Sequence, residues 1–161
     1  MTFSTADLCD AHAGSKPLQI AEPIFTSYGG HAAFSGQITT LKVFEDPTLL
    51  ESTLQEKVLD RVLVIDGGGF HHCALLGDAL TRLAIDNGWQ GIILYGSIRN
   101  RALLDTLPIG IRALHTYPLR SDKHDHGESN ISVTFAGVQF KKDHFLYADE
   151  DGIIVSETKL S

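Results

Sequence analysis

The chain has 161 residues, of which 43% are apolar and 20% are charged, and its 13 lysines and arginines face 20 aspartates and glutamates. This composition is typical of a single globular domain over residues 1–161 and excludes a disordered protein. The net charge of −7 argues against direct binding to nucleic acid, which needs clustered cations, and leaves small anions or a basic protein as partners.

The cysteines and the N-terminus bear on the compartment. Cys9 and Cys73 lie far apart without a metal-binding spacing, which favours thiols in a reducing compartment over a disulfide. The first residues lack the basic and apolar regions of a signal peptide, and no apolar run is long enough to cross a membrane. We therefore expect a cytoplasmic protein without a membrane segment.

The first part of the chain alternates helical and extended patterns. Residues 5–13 predict a short helix that stops at Gly14. The β-branched run 38–43 predicts a strand. Asp46-Pro47 predicts the start of a second helix, whose apolar stripe reaches Val58.

The middle of the chain predicts a β-α-β unit. The apolar run 62–65 has the character of a strand covered on both faces, and the run 91–95 has the same character. Between them, an apolar stripe over 73–87 predicts a helix that stops at Gly88. The two strands should therefore be parallel, with a right-handed crossover.

The last third changes to antiparallel patterns. Residues 131–140 alternate around Ala136-Gly137, which predicts a hairpin or a bulged meander with one face in water. The turn 149–152 leads into a further strand over 153–155. The fold class is therefore α/β, a layered sheet core with a parallel β-α-β unit and antiparallel C-terminal strands.

Asp66-Gly67-Gly68-Gly69 is the first candidate for a binding site, since it lies between a strand and the predicted helix. Glycines at such a place can turn backbone N–H groups towards an anion at the helix N-terminus. The spacing matches neither G-x-G-x-x-G nor a phosphate-binding loop. An anion-contacting loop and a tight structural turn both remain open.

Gly77-Asp78 together with Arg99 forms the second candidate. Asp78 lies in the predicted helix, and Arg99 follows the next strand at a distance that brings both to the carboxyl end of the parallel pair. Arg99 could clamp a carboxylate, and Asp78 could orient a water or move a proton. The alternative is an ordinary ion pair between the two side chains.

Two histidine groups contain possible metal ligands. His71-His72 follows the glycine loop, and His124-Asp125-His126 lies in a wholly polar stretch. The polar stretch has no apolar frame to fix ligand geometry, so a solvated loop is the favoured interpretation there, and a metal role for His71-His72 is not favoured either.

Five stretches from near the first residue to near the last are informative when taken together. They are Ser4–Asp10, Glu22–Phe25, Val62–Gly69, Gly77-Asp78 through Arg99, and Tyr147–Ile154. The most specific feature is the spacing from Asp78 to Arg99 within the strand-helix-strand frame. In these stretches the chain resembles the RraA-like family.

The resemblance implies a layered α/β/β fold that assembles as a ring-shaped homotrimer with pockets at the subunit boundaries. Enzymes of the family are divalent-metal aldolases that cleave 4-hydroxy-4-methyl-2-oxoglutarate to two pyruvates and also decarboxylate oxaloacetate. Short bacterial members are regulators of ribonuclease activity that bind and inhibit ribonuclease E.

The resemblance also implies the site residues. It places the carboxylate and keto group of a 2-oxo acid on the backbone of Gly77, Asp78, Ala79 and Leu80 and on the side chain of Arg99. Asp78 would hold the water that moves the proton. The catalytic residues implied in this chain are therefore Asp78 and Arg99.

The chain departs from the enzymes at the implied metal position. The residue after the arginine is an aspartate that binds Mg²⁺ or Mn²⁺ in the enzymes, and here it is Asn100. An amide oxygen binds a hard dication more weakly than a carboxylate does. The longer enzymes also carry an acidic residue on a C-terminal extension that this chain lacks.

Two functions follow from these residues. Retention of Asp78 and Arg99 favours a metal-assisted lyase acting on 2-oxo acids, whereas Asn100 and the short length favour a non-catalytic regulator of ribonuclease E. An acidic trimer would attract the basic segments with which ribonucleases hold RNA. Glu51, Glu56 and Asp60 offer acidic charge on one predicted helical segment, although an ordinary solvated helix face is the favoured interpretation of these three residues. We favour the enzyme.

Overall fold

The computed structural model describes residues 2–14, 17–44, 46–121 and 127–161. Its helices are α1 (Thr5–His12), α2 (Pro47–Leu54), α3 (Asp78–Asp86) and α4 (Arg101–Leu104). Its strands are β1 (Leu18–Ile20), β2 (Thr26–Tyr28), β3 (Phe34–Val43), β4 (Arg61–Asp66), β5 (Trp89–Ile98), β6 (Gly110–Thr116), β7 (Gly127–Ser129), β8 (Val133–Phe135), β9 (Val138–Phe140), β10 (Phe145–Asp149) and β11 (Gly152–Ser156). No helix within these ranges has the length and apolar character that a membrane crossing requires.

One large sheet organises the chain, with the strand order β1-β11-β10-β3-β4-β5-β6-β2. The four central strands β3, β4, β5 and β6 are parallel to one another. The outer strands join antiparallel on both sides, and β7 pairs with the far end of β3. The predicted parallel pairing of the two strands that flank α3 is confirmed.

The sheet separates two apolar cores because successive residues of a strand face opposite sides. Leu63 and Ile65 of β4 pack with α2 and α3 in one core. Val62 and Val64 pack on the other side against the hairpin of β8 and β9 and against β10 and β11. The result is the α/β fold that the sequence predicts, with helices on one face and antiparallel strands on the other.

The hairpin of β8 and β9 forms as predicted. Its turn residues Ala136 and Gly137 have φ angles of +52° and +71°, the left-handed pair that suits a two-residue hairpin turn. Thr134 and Gln139 are exposed, whereas the residues on either side of each are buried. The hairpin therefore covers the sheet with its apolar face and leaves its polar face in water.

The start of the helix predicted over 73–87 is wrong. Helix α3 begins at Asp78, and the residues before it continue the sheet instead. Leu75 N–H donates to Ser97 O (3.0 Å), and Arg99 N–H donates to Leu76 O (3.0 Å). Leu76 fits a helical stripe by spacing, but burial beside the end of β5 accounts for its apolar character equally well.

The second helix is shorter than its apolar stripe predicts. Helix α2 starts after the Asp46 N-cap, as expected, but ends at Leu54. Val58 lies beyond it, and so do Glu56 and Asp60. Of the proposed acidic trio, only Glu51 is helical, so the three side chains do not form one acidic helix face.

Gly91 and Gly110 face each other across β5 and β6 and leave a slot for the buried ring of Phe34. A Cβ at either glycine would lie 2.1 Å from a ring carbon of Phe34. We expect Gly91→Ala to lower the free energy of unfolding by about 1–3 kcal/mol in urea denaturation, since overpacking forces the ring or the strand to shift. Gly14→Ala is the matched control, because its Cβ would meet no atom within 4 Å. Equal stabilities of the two variants would contradict the tight packing of Phe34 against Gly91.

Candidate functional site

The site is built on the extended segment 74–77, which precedes α3. Besides its pairing with the end of β5, this segment bonds on its other side to residues 119–121. Ala74 N–H donates to Leu119 O (2.8 Å), and Ser121 N–H donates to Ala74 O (3.1 Å). The segment therefore extends the sheet beyond the ends of β5 and β6 and carries Gly77 and Asp78 to that edge.

Gly77 brings Arg99 against the N-terminus of α3. The position that a Cβ would occupy on Gly77 lies 3.5 Å from Arg99 Nε, so the half-buried guanidinium lies directly beside this glycine. The first hydrogen bond of the helix runs from Thr81 N–H to Gly77 O (3.1 Å). The preceding N–H groups, at residues 78–80, therefore lie at a helix N-terminus, where such donors lack intrahelical acceptors.

Asp78 is bonded to Asn100. The Asn100 side-chain Nδ2 donates to Asp78 Oδ1 over 2.9 Å. Asn100 adopts the left-handed conformation, with φ +60° and ψ +44°, and is the N-cap residue before α4. A carboxylate can only accept a hydrogen bond, so the amide must turn its nitrogen to Asp78 and its Oδ1 elsewhere. The structure thus brings together the aspartate and the implied metal position.

The alternative of a simple ion pair between Asp78 and Arg99 does not describe the geometry. In the parts of the chain that the structure describes, the salt bridges join Arg61 to Asp143 and Arg101 to Asp105. Asp78 and Arg99 lie at the same edge of the sheet, as the sequence predicts, and both line one cavity.

The cavity has a volume of about 200 Å³ and is lined by all five residues that the resemblance implies for substrate binding. Pro47 and Glu51 of α2 and Arg120 of the segment after β6 also line it. Sequence reasoning missed these three, because they lie far from Asp78 along the chain and belong to no local motif.

The glycine loop after β4 is a structural turn. Gly67 and Gly69 N–H groups both donate to Tyr95 O at 3.1 Å, and Gly68 N–H donates to the Asp66 carboxylate at 2.9 Å. These donors are therefore occupied within the chain. The anion-contacting interpretation of this loop is wrong, and the helix N-terminus expected beside it lies instead at Gly77.

The described histidines do not assemble a metal centre with acidic residues. His71 Nδ1 lies 3.1 Å from Nε2 of His115 in β6. The pKa of His115 is lowered mainly by burial and to a smaller extent by the charge of His71. Within the described ranges, no three residues of the His, Cys, Asp and Glu types are grouped to hold a metal. His124-Asp125-His126 lies outside the described residues.

The side-chain oxygens of Asp78 and Asn100 are of the type that binds a hydrated hard cation. Asp78 Oδ1 accepts from Asn100 Nδ2, so Asn100 Oδ1 would share a cation with Asp78 only after the amide turns over. Mg²⁺ typically keeps several waters and takes only one or two carboxylates together with substrate oxygens. A sparse oxygen site of this kind suits Mg²⁺ or Mn²⁺, with one anionic ligand.

Comparison with known proteins gives a consistent result. The family model described as RraA-like, Aldolase/RraA, matches residues 5–155. A protein of Methylococcus capsulatus is 60% identical over 99% of both chains, and one of Aromatoleum aromaticum is 50% identical over 99% of both. Both bear the provisional name 4-hydroxy-4-methyl-2-oxoglutarate aldolase.

Two solved structures share the fold closely. The RNA-processing inhibitor RraA from Thermus thermophilis superposes with a TM-score of 0.94 at 37% identity, over 100% of this chain and 96% of that one. A Geobacillus kaustophilus protein described as an S-adenosylmethionine:2-dimethylmenaquinone methyltransferase has a TM-score of 0.94 at 40% identity, over 98% and 97% of the two chains.

Proposed function

Because this chain belongs to the RraA-like family, we propose that it is a carbon–carbon lyase that cleaves 4-hydroxy-4-methyl-2-oxoglutarate to two pyruvates and decarboxylates oxaloacetate. The observation that carries the proposal is the placement of the Arg99 guanidinium beside the N-terminus of α3, in one cavity with the Asp78 carboxylate. A cavity of about 200 Å³ is smaller than the roughly 300–1,000 Å³ pockets of drug-sized ligands, which favours a small acid.

Both reactions pass through the enolate of pyruvate. In the aldol cleavage, the hydroxyl at C4 loses its proton, the C3–C4 bond breaks, and its electron pair moves to the keto group at C2. In the decarboxylation, the bond to the departing CO₂ supplies the electron pair. A proton added at C3 then completes pyruvate in each case.

The residues of this chain match those requirements. Arg99 and the N–H groups at 78–80 bind the carboxylate and the keto oxygen, where negative charge develops. Asp78 orients a water that takes the proton from the hydroxyl and returns one to C3. The hydrogen bond from Asn100 fixes the direction of that carboxylate.

The residues that would hold Mg²⁺ or Mn²⁺ are Asp78 and Asn100, whose amide would turn over to present its Oδ1 in place of its hydrogen bond to Asp78. When bound, such a cation supplies Lewis acidity, which polarises the keto group of the substrate. The neutral amide at position 100 lowers the negative charge of the site, so we propose weaker metal binding than a carboxylate would give there.

The direct test is pyruvate formation. We expect the purified chain with Mg²⁺ or Mn²⁺ to release pyruvate from both substrates, measured by coupled reduction to lactate with NADH. Because dications promote spontaneous loss of CO₂ from oxaloacetate, a blank with metal but no protein is the control. Rates equal to this blank for both substrates would contradict the lyase.

A second candidate function is regulation of ribonuclease E. The observation that favours it is the fold shared with the RNA-processing inhibitor RraA at 37% identity, together with the net charge of −7. Acidic charge favours binding to the basic segments with which a ribonuclease holds RNA. This function needs no 2-oxo acid site. A substitution of Arg99 should therefore remove lyase activity and leave inhibition of the ribonuclease unchanged.

We also propose a cytoplasmic homotrimer. The support for the trimer is the membership of the RraA-like family. Light scattering should then give three times the 17.6-kDa chain mass. Cys9 and Cys73 are thiols rather than halves of a disulfide, which supports a reducing compartment.

A further inference from the structure

Two arginines flank the segment that forms the floor of the candidate site. Ala74 pairs in parallel with Arg120, and Leu76 pairs in parallel with Ile98, the residue before Arg99. Adjacent strands lie about 4.8 Å apart, and Arg120 is paired with residue 74 whereas Arg99 lies beside residue 77. The backbones of the two arginines are therefore about 10 Å apart across the segment and about 10 Å apart along it, a separation of roughly 14 Å. Arg99 and Arg120 therefore approach the cavity from opposite sides of the segment.

Both arginine side chains line the same cavity, with two carboxylates beside them. Asp78 lies on the Arg99 side, bonded to Asn100, and Glu51 enters from α2. Arg120 is exposed and takes no part in the chemistry proposed above. Its place opposite Arg99 gives the cavity a second cation, which a substrate with one carboxylate would leave unpaired.

We propose that Arg120 binds the distal carboxylate of the substrate and makes the site selective for dicarboxylic 2-oxo acids of four or five carbons. The inference rests on the proposed lyase function and names its specificity residue. The substrate carboxylate next to the keto group lies at Arg99, and the carbon chain of the substrate extends over segment 74–77 to Arg120.

The dimensions agree with this orientation. The two carboxyl carbons of an extended five-carbon diacid are about 5 Å apart, and two long arginine side chains can close the rest of the distance from the opposite walls. Each guanidinium presents paired N–H donors that match the two oxygens of a carboxylate. A site arranged for two carboxylates discriminates against an analogue with one, because a polar group is then left without its partner.

The test compares two 2-oxo acids of equal length by isothermal titration calorimetry with Mg²⁺ present. 2-Oxoglutarate has the distal carboxylate, whereas 2-oxopentanoate has a methyl group in its place. We expect the unmodified protein to bind 2-oxoglutarate about 10–100-fold more tightly, the range of one charged hydrogen-bonded contact. In Arg120→Gln this preference should fall to about 1–3-fold while the affinity for 2-oxopentanoate changes little.

Two further variants complete the design. Arg82→Gln removes an exposed arginine of α3 that does not line the cavity, and it should keep the full preference. Arg99→Gln should weaken the binding of both acids by the same factor. A preference that survives in Arg120→Gln, or an unmodified protein that binds both acids equally, overturns the role of Arg120 and leaves the lyase standing. An unmodified protein that binds neither acid overturns the 2-oxo acid site and both proposals with it.

Discussion

Arg99→Gln is expected to lower kcat/KM for pyruvate formation by about 100–1,000-fold, the usual cost of removing one group that stabilises a developing oxyanion. The guanidinium lies beside Gly77 at the N-terminus of α3, where the proposed mechanism needs a cation for the enolate oxygen and the substrate carboxylate. Glutamine keeps a hydrogen-bond donor but loses the charge and the paired geometry. The measurement is the coupled pyruvate assay with both substrates.

The control for Arg99 removes the same charge elsewhere. Arg82→Gln should retain the activity of the unmodified protein, and thermal unfolding of both variants should match it. If Arg99→Gln releases pyruvate at the unmodified rate, the site has been placed wrongly. A regulator of ribonuclease E would show another pattern, in which Arg99→Gln keeps its full inhibition of the ribonuclease.

Asn100→Asp is expected to raise Mg²⁺ affinity by about 10–100-fold, since it adds an anionic oxygen ligand beside Asp78. It replaces the donor that lies 2.9 Å from Asp78 Oδ1 with an acceptor, so two carboxylates face each other. Without a cation they repel, and the variant should unfold at a lower temperature than the unmodified protein in EDTA. Added Mg²⁺ should reverse this difference, because a ligand that binds only the folded state stabilises it. Pyruvate formation should rise with the metal occupancy.

Asn130→Asp is the matched control. Asn130 is exposed and also adopts a left-handed conformation, with φ +61°, so the substitution makes the same chemical change in the same backbone setting. It should show no Mg²⁺-dependent shift in unfolding temperature. An Asn100→Asp variant that behaves like this control would mean that position 100 does not face a cation.

The sequence predicts the fold well where a pattern is local. The strands at 62–65 and 91–95 and the hairpin at 131–140 form where their apolar patterns place them. The apolar spacing places the start of α3 too early, because Leu76 satisfies the helical period while its backbone pairs with β5. No strand is predicted at β6, where Arg112 interrupts the apolar run. That arginine is nevertheless buried, and its guanidinium donates to backbone carbonyls.

The candidate site divides in the same way. The spacing of Asp78 and Arg99 along one β-α-β unit predicts that they share an edge of the sheet, and the structure brings them there. The position of the glycine loop also allows an anion contact, but its N–H groups donate to Tyr95 and to Asp66. Hydrogen-bond partners of this kind cannot be read from a motif, because they belong to neighbouring strands.

By itself, the sequence determined the α/β class, the parallel unit that carries Asp78 and Arg99, and the amide at position 100, because strand and helix periods and residue chemistry are local properties. Only the tertiary structure decided that Asn100 bonds Asp78, that the glycine loop is a structural turn, and that Arg120 stands opposite Arg99. These features arise where segments far apart in the chain pair at the edge of one sheet, and no local pattern encodes which segments meet.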